Sequence, residues 1–118
     1  MKLPVTVFKL CSCGALLVGS TAERLLTNKR GKVRDWDLIV PYDKWRNIAG
    51  LVGEIGAKAN LFGGFKLRGV QGESIDVWPM ALQEYLTLAI NKRGEPPVVV
   101  DVIAKRVFTS EIKQLNFN

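Results

Sequence analysis

The chain contains no histidine. Without imidazole there is no Ser-His-Asp or Cys-His pair to activate a nucleophile, and most zinc sites lose a usual ligand. No Gly-rich P-loop ending in Lys-Ser or Lys-Thr is present, which excludes ATP hydrolysis of the Walker type. Cysteine is limited to Cys11 and Cys13. As alternate positions on one strand face they strain against bridging, and two thiolates alone make a poor metal site. They read as reduced core residues of a cytoplasmic protein. No apolar run is long enough to span a bilayer. Met1-Lys2 ahead of apolar residues up to Val18 has the outline of a secretory leader. Lys9 interrupts it, and cleavage near its end would remove the Gly19-Ser20 turn, so the segment reads as mature structure without a membrane role. Internal repeats and low-complexity tracts are also missing.

What remains is a chain of 118 residues, enough for one domain over 1–118 with a core of its own. Hydrophobic residues make up 47%, which excludes disorder of the body of the chain. A net charge of +6 favours polyanionic partners such as nucleotides or RNA. Lys29, Arg30, Lys32 and Arg34 form the densest basic cluster, with Lys66, Arg68, Lys92, Arg93, Lys105 and Arg106 elsewhere. A solvated surface would account for such charge equally well, except where the first cluster abuts two aspartates.

Those aspartates flank a tryptophan in Arg34-Asp35-Trp36-Asp37-Leu38-Ile39-Val40. The pattern predicts a strand entering a core, with Asp35 and Asp37 on one face and Trp36 and Leu38 on the other. Paired carboxylates repel unless a cation neutralises them, and hard oxygen ligands suit Mg²⁺ together with substrate phosphates. A solvated strand end would carry the same residues. Upstream, Ala15-Leu16-Leu17-Val18 predicts a strand that runs through Gly19-Ser20 into a helix over Thr21–Leu26. A glycine turn with free first-turn N–H groups is an anion site, with Ser20 or Thr21 available as N-cap. Downstream, Glu73-Ser74-Ile75-Asp76-Val77-Trp78 predicts a strand that supplies a third carboxylate, Asp76, on the face opposite Ile75 and Val77.

Val18-Gly19-Ser20, Asp35-Trp36-Asp37-Leu38 and Asp76, in that order, resemble the nucleotidyltransferase superfamily related to DNA polymerase beta. Leu25-Leu26, the basic loop and Arg34-Asp35-Trp36-Asp37 are similar to the head domain of CCA-adding enzymes and bacterial poly(A) polymerases. The resemblance covers about residues 14 to 80. It implies an α+β fold, a mixed and mostly antiparallel sheet flanked by helices. It also implies transfer of a nucleoside monophosphate from an NTP such as ATP to an acceptor hydroxyl on RNA, protein or a small molecule. Asp35, Asp37 and Asp76 would be the catalytic residues and the ligands of two Mg²⁺ ions. Gly19 and Ser20, with Arg24 or Lys32, would bind the nucleotide. The chain departs from the family in the length of the segment between Ser20 and Asp35 and in Arg24, which lies one position late. The alternative is an inactive module on the same scaffold that binds nucleic acid or a partner protein.

Elsewhere, Trp45, Ile48, Leu51, Val52 and Ile55 predict one face of a helix over 42–56. Leu61–Gly69 predicts a strand or hairpin with a glycine bend, antiparallel to the Asp76 strand. A helix is predicted from Met80 to Asn91, opened by Pro79, with Leu82, Tyr85, Leu86 and Ile90 on its apolar side. Val98–Ile103 predicts a buried strand in which Asp101 is structural, and the tail from Ser110 predicts a short capped helix.

Overall fold

A computed structural model describes residues 3–27, 35–55, 58–59, 63–88, 97–109 and 114–116. In chain order the elements are α1 (Val5–Ser12), β1 (Leu16–Val18), α2 (Gly19–Thr27), β2 (Asp35–Val40) and a 3-10 turn (Tyr42–Lys44). They continue with α3 (Trp45–Ile55), β3 (Lys58–Ala59), β4 (Phe65–Arg68), β5 (Ser74–Pro79), α4 (Leu82–Leu88), β6 (Val98–Asp101), β7 (Arg106–Thr109) and β8 (Gln114–Asn116). The strands form one sheet in the order β3-β4-β5-β2-β1-β6-β7-β8. The architecture is therefore α+β, a mixed and mostly antiparallel sheet flanked by helices.

β2 lies inside the sheet, antiparallel to β1 and parallel to β5. A parallel pair cannot be closed by a tight turn. The intervening chain supplies the 3-10 turn, α3, β3 and β4 before β5 returns beside β2. β2 begins with alternation, Asp35 exposed, Trp36 buried and Asp37 half-buried, then continues through Leu38, Ile39 and Val40, all buried. That change marks where helices begin to cover both faces.

One face carries Trp36, Leu38, Val40, Leu17, Ile75, Val77 and Val100 against Val7 and Leu10 of α1 and Ile48 and Val52 of α3. Full burial of side chains such as Leu38 or Ile75 contributes about 1.5–3 kcal/mol each. Trp45 stacks on Phe65 with ring centroids 5.5 Å apart and so belongs to this core. On the other face, Leu16, Val18, Ile39 and Val99 pack with Leu86, joined by Trp78, Met80, Leu82 and Tyr85. α4 thus lies on the same side of the sheet as Asp37 and Asp76, because Ile39 and Trp78 follow those aspartates by two strand positions.

Several sequence expectations are corrected in detail. The 42–56 helix is a 3-10 turn followed by α3, and Gly56 lies outside the described residues. Pro79 closes β5 opposite Val40 instead of opening a helix. The Met80 amide donates to the Val40 carbonyl (3.0 Å), which carries the ladder one residue further. α4 starts at Leu82, where Glu84 accepts the Ala81 amide (3.3 Å), half of a capping box; Asn91 lies outside the described residues. The tail forms β8 against β7, not a helix over those positions, and Ser110 lies outside the described residues. Cys11 and Cys13 close a helix, not a strand. Two positions along a helix turn side chains to widely different directions, and both thiols are free. Burial first, and Asp101 second, push the Cys11 thiol up to about 12. Asp101 accepts the Ala104 amide (3.0 Å), a structural role in the β6–β7 turn. Among the described residues no helix is long and apolar enough to cross a membrane.

Candidate functional site

β1 ends at Val18, and α2 begins at the next residue without a loop between them. Such an abrupt reversal needs a residue free to adopt positive φ, and Gly19 has φ +68°. Val18 is the register partner of Asp37, which sets the turn directly over that carboxylate. A Cβ at Gly19 would stand 2.9 Å from Asp37 Oδ2. Glycine is therefore required twice, for conformation and for space.

The first-turn amides of α2 are not all free, contrary to the sequence expectation. The Gly19 N–H donates to the Tyr85 hydroxyl (3.2 Å), brought across by α4. Nor does Thr21 cap the helix. Its buried hydroxyl donates back to the Val18 carbonyl (3.4 Å). Ser20 is exposed at the helix start. Arg24, one turn on, is half-buried, and its Nη1 is buried without a hydrogen-bond partner among the described residues. Lys32 and the rest of the basic segment, Lys29, Arg30 and Arg34, lie outside the described residues.

The three aspartates occupy one face of the sheet. Asp37 and Asp76 are register partners on the parallel strands β2 and β5, and Asp35 is the partner of Ser74 one step along. Asp35 is exposed at the strand mouth, while Asp37 and Asp76 are half-buried. Two residues complete the row from β4: Lys66 is the partner of Asp76, and Arg68 that of Ser74. Burial pushes the Asp37 carboxyl up from 3.8 to about 6, helped by Asp76 and then Asp35, while Lys66 opposes the rise. Burial likewise raises Tyr85, with Asp37 and Glu23 adding to it and the Gly19 N–H working against it.

This donor set suits a hard divalent cation in chemistry. The carboxylate oxygens share a face, and Asp37 carries an excess of negative charge that a cation would relieve. Convergence is incomplete, because among the described residues no three His, Cys, Asp or Glu side chains cluster closely enough to hold one ion. Asp35 is the exposed member of the three.

Sequence reasoning missed Tyr85, Lys66 and Ser74. Tyr85 was legible only as an apolar-face residue of a helix, since a hydroxyl's partner depends on where the helix docks. Lys66 and Arg68 did leave a signal. The alternation Phe65-Lys66-Leu67-Arg68, laid antiparallel to the Asp76 strand, puts both cations on the acid face.

No known family model matches the chain, and no curated protein matches it. Among solved structures it is similar to a Thermotoga maritima CCA-adding enzyme complexed with tRNA, with a TM-score of 0.56 and 15% identity. The match covers 82% of this chain and 27% of that one, so the chain spans about a quarter of that enzyme's length. At this identity the likeness shows a fold shared with part of that enzyme, and neither a family nor an activity.

Proposed function

We propose that residues 1–118 form one minimal nucleotidyltransferase domain that transfers a nucleoside monophosphate from an NTP to an acceptor hydroxyl. The observation that carries this reading is the register of Asp37 with Asp76 on parallel strands, beneath the Gly19 turn at the start of α2. The fold shared with the CCA-adding enzyme supports it.

In this reading Asp37 and Asp76, with Asp35 turned in from the strand mouth, would hold two Mg²⁺ ions. Bound there, the metal would supply positive charge against the triphosphate. Ser20 and the free amides that follow Gly19 take the β- and γ-phosphates, favoured by the helix dipole. Arg24 offers its Nη1, unpaired among the described residues, to the same phosphates, and Lys32 is proposed as further charge support. Gly19 contributes shape and not a donor, because its amide is held by Tyr85. Asp76 accepts the proton of the acceptor hydroxyl as its oxygen bonds to the α-phosphorus. The bond from that phosphorus to the bridging oxygen breaks, and pyrophosphate leaves. Positioning and charge carry the reaction, since phosphoryl-type transfer asks little covalent chemistry of the protein. The free Cys11 and Cys13 fit a reducing, cytoplasmic location.

The exposed position of Asp35 and the incomplete carboxylate cluster favour a second reading, an inactive module that binds RNA or a partner protein. Calorimetry with each NTP, with Mg²⁺ and then with EDTA, separates the two. Metal-dependent nucleotide uptake, lost in Asp37→Asn and Asp76→Asn with the circular dichroism spectrum intact, supports the enzyme. Uptake of no NTP under any condition leaves the binding module. Radiolabelled NTP with cell extract then identifies the acceptor by the molecule that becomes labelled.

A further inference from the structure

Read across the acid face, the sheet has two flanks of different character. On the β1 side of Asp37 stands the Gly19–Ser20 turn. On the β5 side, past Asp76, stands β4, whose Lys66 and Arg68 point to the same face and are both exposed. Three strand spacings separate β1 from β4, about 14 Å at roughly 4.8 Å each. The two flanks cannot both serve one terminal phosphate.

In-line displacement demands that the leaving pyrophosphate and the attacking hydroxyl lie on opposite sides of the transferred phosphorus. With the triphosphate at the Gly19 turn, the nucleophile enters from the Asp76 flank, beside Lys66. A cationic ledge on that flank has no use for a neutral acceptor.

We propose that Lys66 and Arg68 of β4, with the Ser74 hydroxyl, form an acceptor-side anion subsite for a phosphate-bearing acceptor. The proposal rests on the reading of Asp37 and Asp76 as the reaction centre. Ser74 is the register partner of both Asp35 and Arg68, and its Oγ is buried with no hydrogen-bond partner among the described residues. A buried hydroxyl without a partner is costly unless a ligand completes it. Lys66 and Arg68 are two positions apart on one strand face, about 6.6 Å, a spacing that consecutive phosphates of an extended strand can meet. Lys66 also acts electrostatically on Asp37 two strands away, so its charge is felt at the centre it borders.

The test compares wild type with Lys66→Gln/Arg68→Gln and with Lys9→Gln/Arg46→Gln. The second variant removes the same charge from exposed positions on α1 and α3, the helices packed on the other sheet face. Four probes are titrated: Mg²⁺ with a non-hydrolysable ATP analogue, a fluorescein-labelled single-stranded ten-nucleotide RNA, AMP, and adenosine as the phosphate-free control. The ledge variant should bind the RNA about 10- to 100-fold more weakly, with a salt slope shallower by about 1.4 for two lost phosphate contacts. Its affinity for adenosine should be unchanged, and its affinity for the Mg²⁺-analogue complex should not fall, since losing the Lys66 charge leaves the carboxylates no less attractive to a cation. AMP weakened together with RNA assigns the subsite to a single phosphate, and RNA weakened alone assigns it to a strand; both support it. RNA and AMP binding unchanged, an equal loss in the Lys9/Arg46 variant, or a loss confined to the ATP analogue overturns the subsite. If wild type takes up no Mg²⁺-analogue complex at all, the reaction-centre reading has failed and the acceptor assignment falls with it. Normal analogue binding with unaltered RNA and AMP binding means that the subsite alone is wrong.

Discussion

Asp37→Asn should make the protein more stable at pH 8 while removing the metal-dependent nucleotide binding proposed for it. The folded carboxyl is pushed from 3.8 to about 6, by burial first and by Asp76 and Asp35 after it. Folding therefore favours the protonated form, and holding Asp37 ionised costs free energy that the unfolded chain escapes. At about 1.36 kcal/mol for each tenfold change in proton affinity, the full difference is about 3 kcal/mol. Asp37 is only half-buried, and water screens part of that cost, so about 1–2 kcal/mol is the expected gain. The gain has a direction in pH. Below about pH 4 the wild-type residue is protonated in both states, and the two proteins should be equally stable. As pH rises from about 4 to about 6 the wild type loses stability and the asparagine protein does not, and above that the gap is constant. Urea denaturation at pH 4, 6 and 8 measures this, and a melting-temperature difference of about 4–8 °C should accompany it at pH 8. Adding 10 mM Mg²⁺ should close the gap by stabilising wild type alone. An Asp37→Asn protein no more stable than wild type at pH 8, or one whose gain persists undiminished at pH 4, would refute the account of repelling carboxylates.

Gly19→Ala should destabilise by about 1–3 kcal/mol and abolish the proposed nucleotide binding, since it strains φ +68° and drives a methyl against Asp37 Oδ2; urea midpoints and calorimetry report both. Tyr85→Phe keeps the ring and removes the acceptor of the Gly19 N–H, costing about 1 kcal/mol. Faster hydrogen exchange at the Gly19 amide, read by NMR, should accompany it, and an unchanged exchange rate would place the hydrogen bond elsewhere. Leu38→Ala, at a fully buried central position, should cost about 2–5 kcal/mol by chemical denaturation. Cys11, with its thiol pushed up to about 12, should resist iodoacetamide at pH 8 until the protein is unfolded, as peptide mass mapping would show.

The parts of the fold that alternation or helical spacing could specify were legible in advance. β2 and β5 each place apolar neighbours on one face and carboxylates on the other, and that pattern needs no tertiary information. The α3 face was equally plain, and Ile48 and Val52 are buried as the spacing requires. Boundaries were weaker where a tertiary contact decides them. Pro79 stays in β5 because Val40 lies opposite, and residues 114–116 form a strand because β7 offers a free edge. The candidate site was legible as residue types and incomplete as geometry. Which strands adjoin β2 decides that Asp76 meets Asp37, and which helix covers the face decides that Tyr85 takes the Gly19 amide. Neither is written in local sequence.

The parallel seam between β2 and β5 also has a consequence for biogenesis. Asp37 and Asp76 become neighbours only after the whole crossover through α3 and β4 has been laid down. A nascent chain that stops short of β5 carries the glycine turn and the first two aspartates but nothing to set beside them. The proposed cation affinity would then switch on late in synthesis, and a truncated or misthreaded product would be silent toward metal even with its early motif intact.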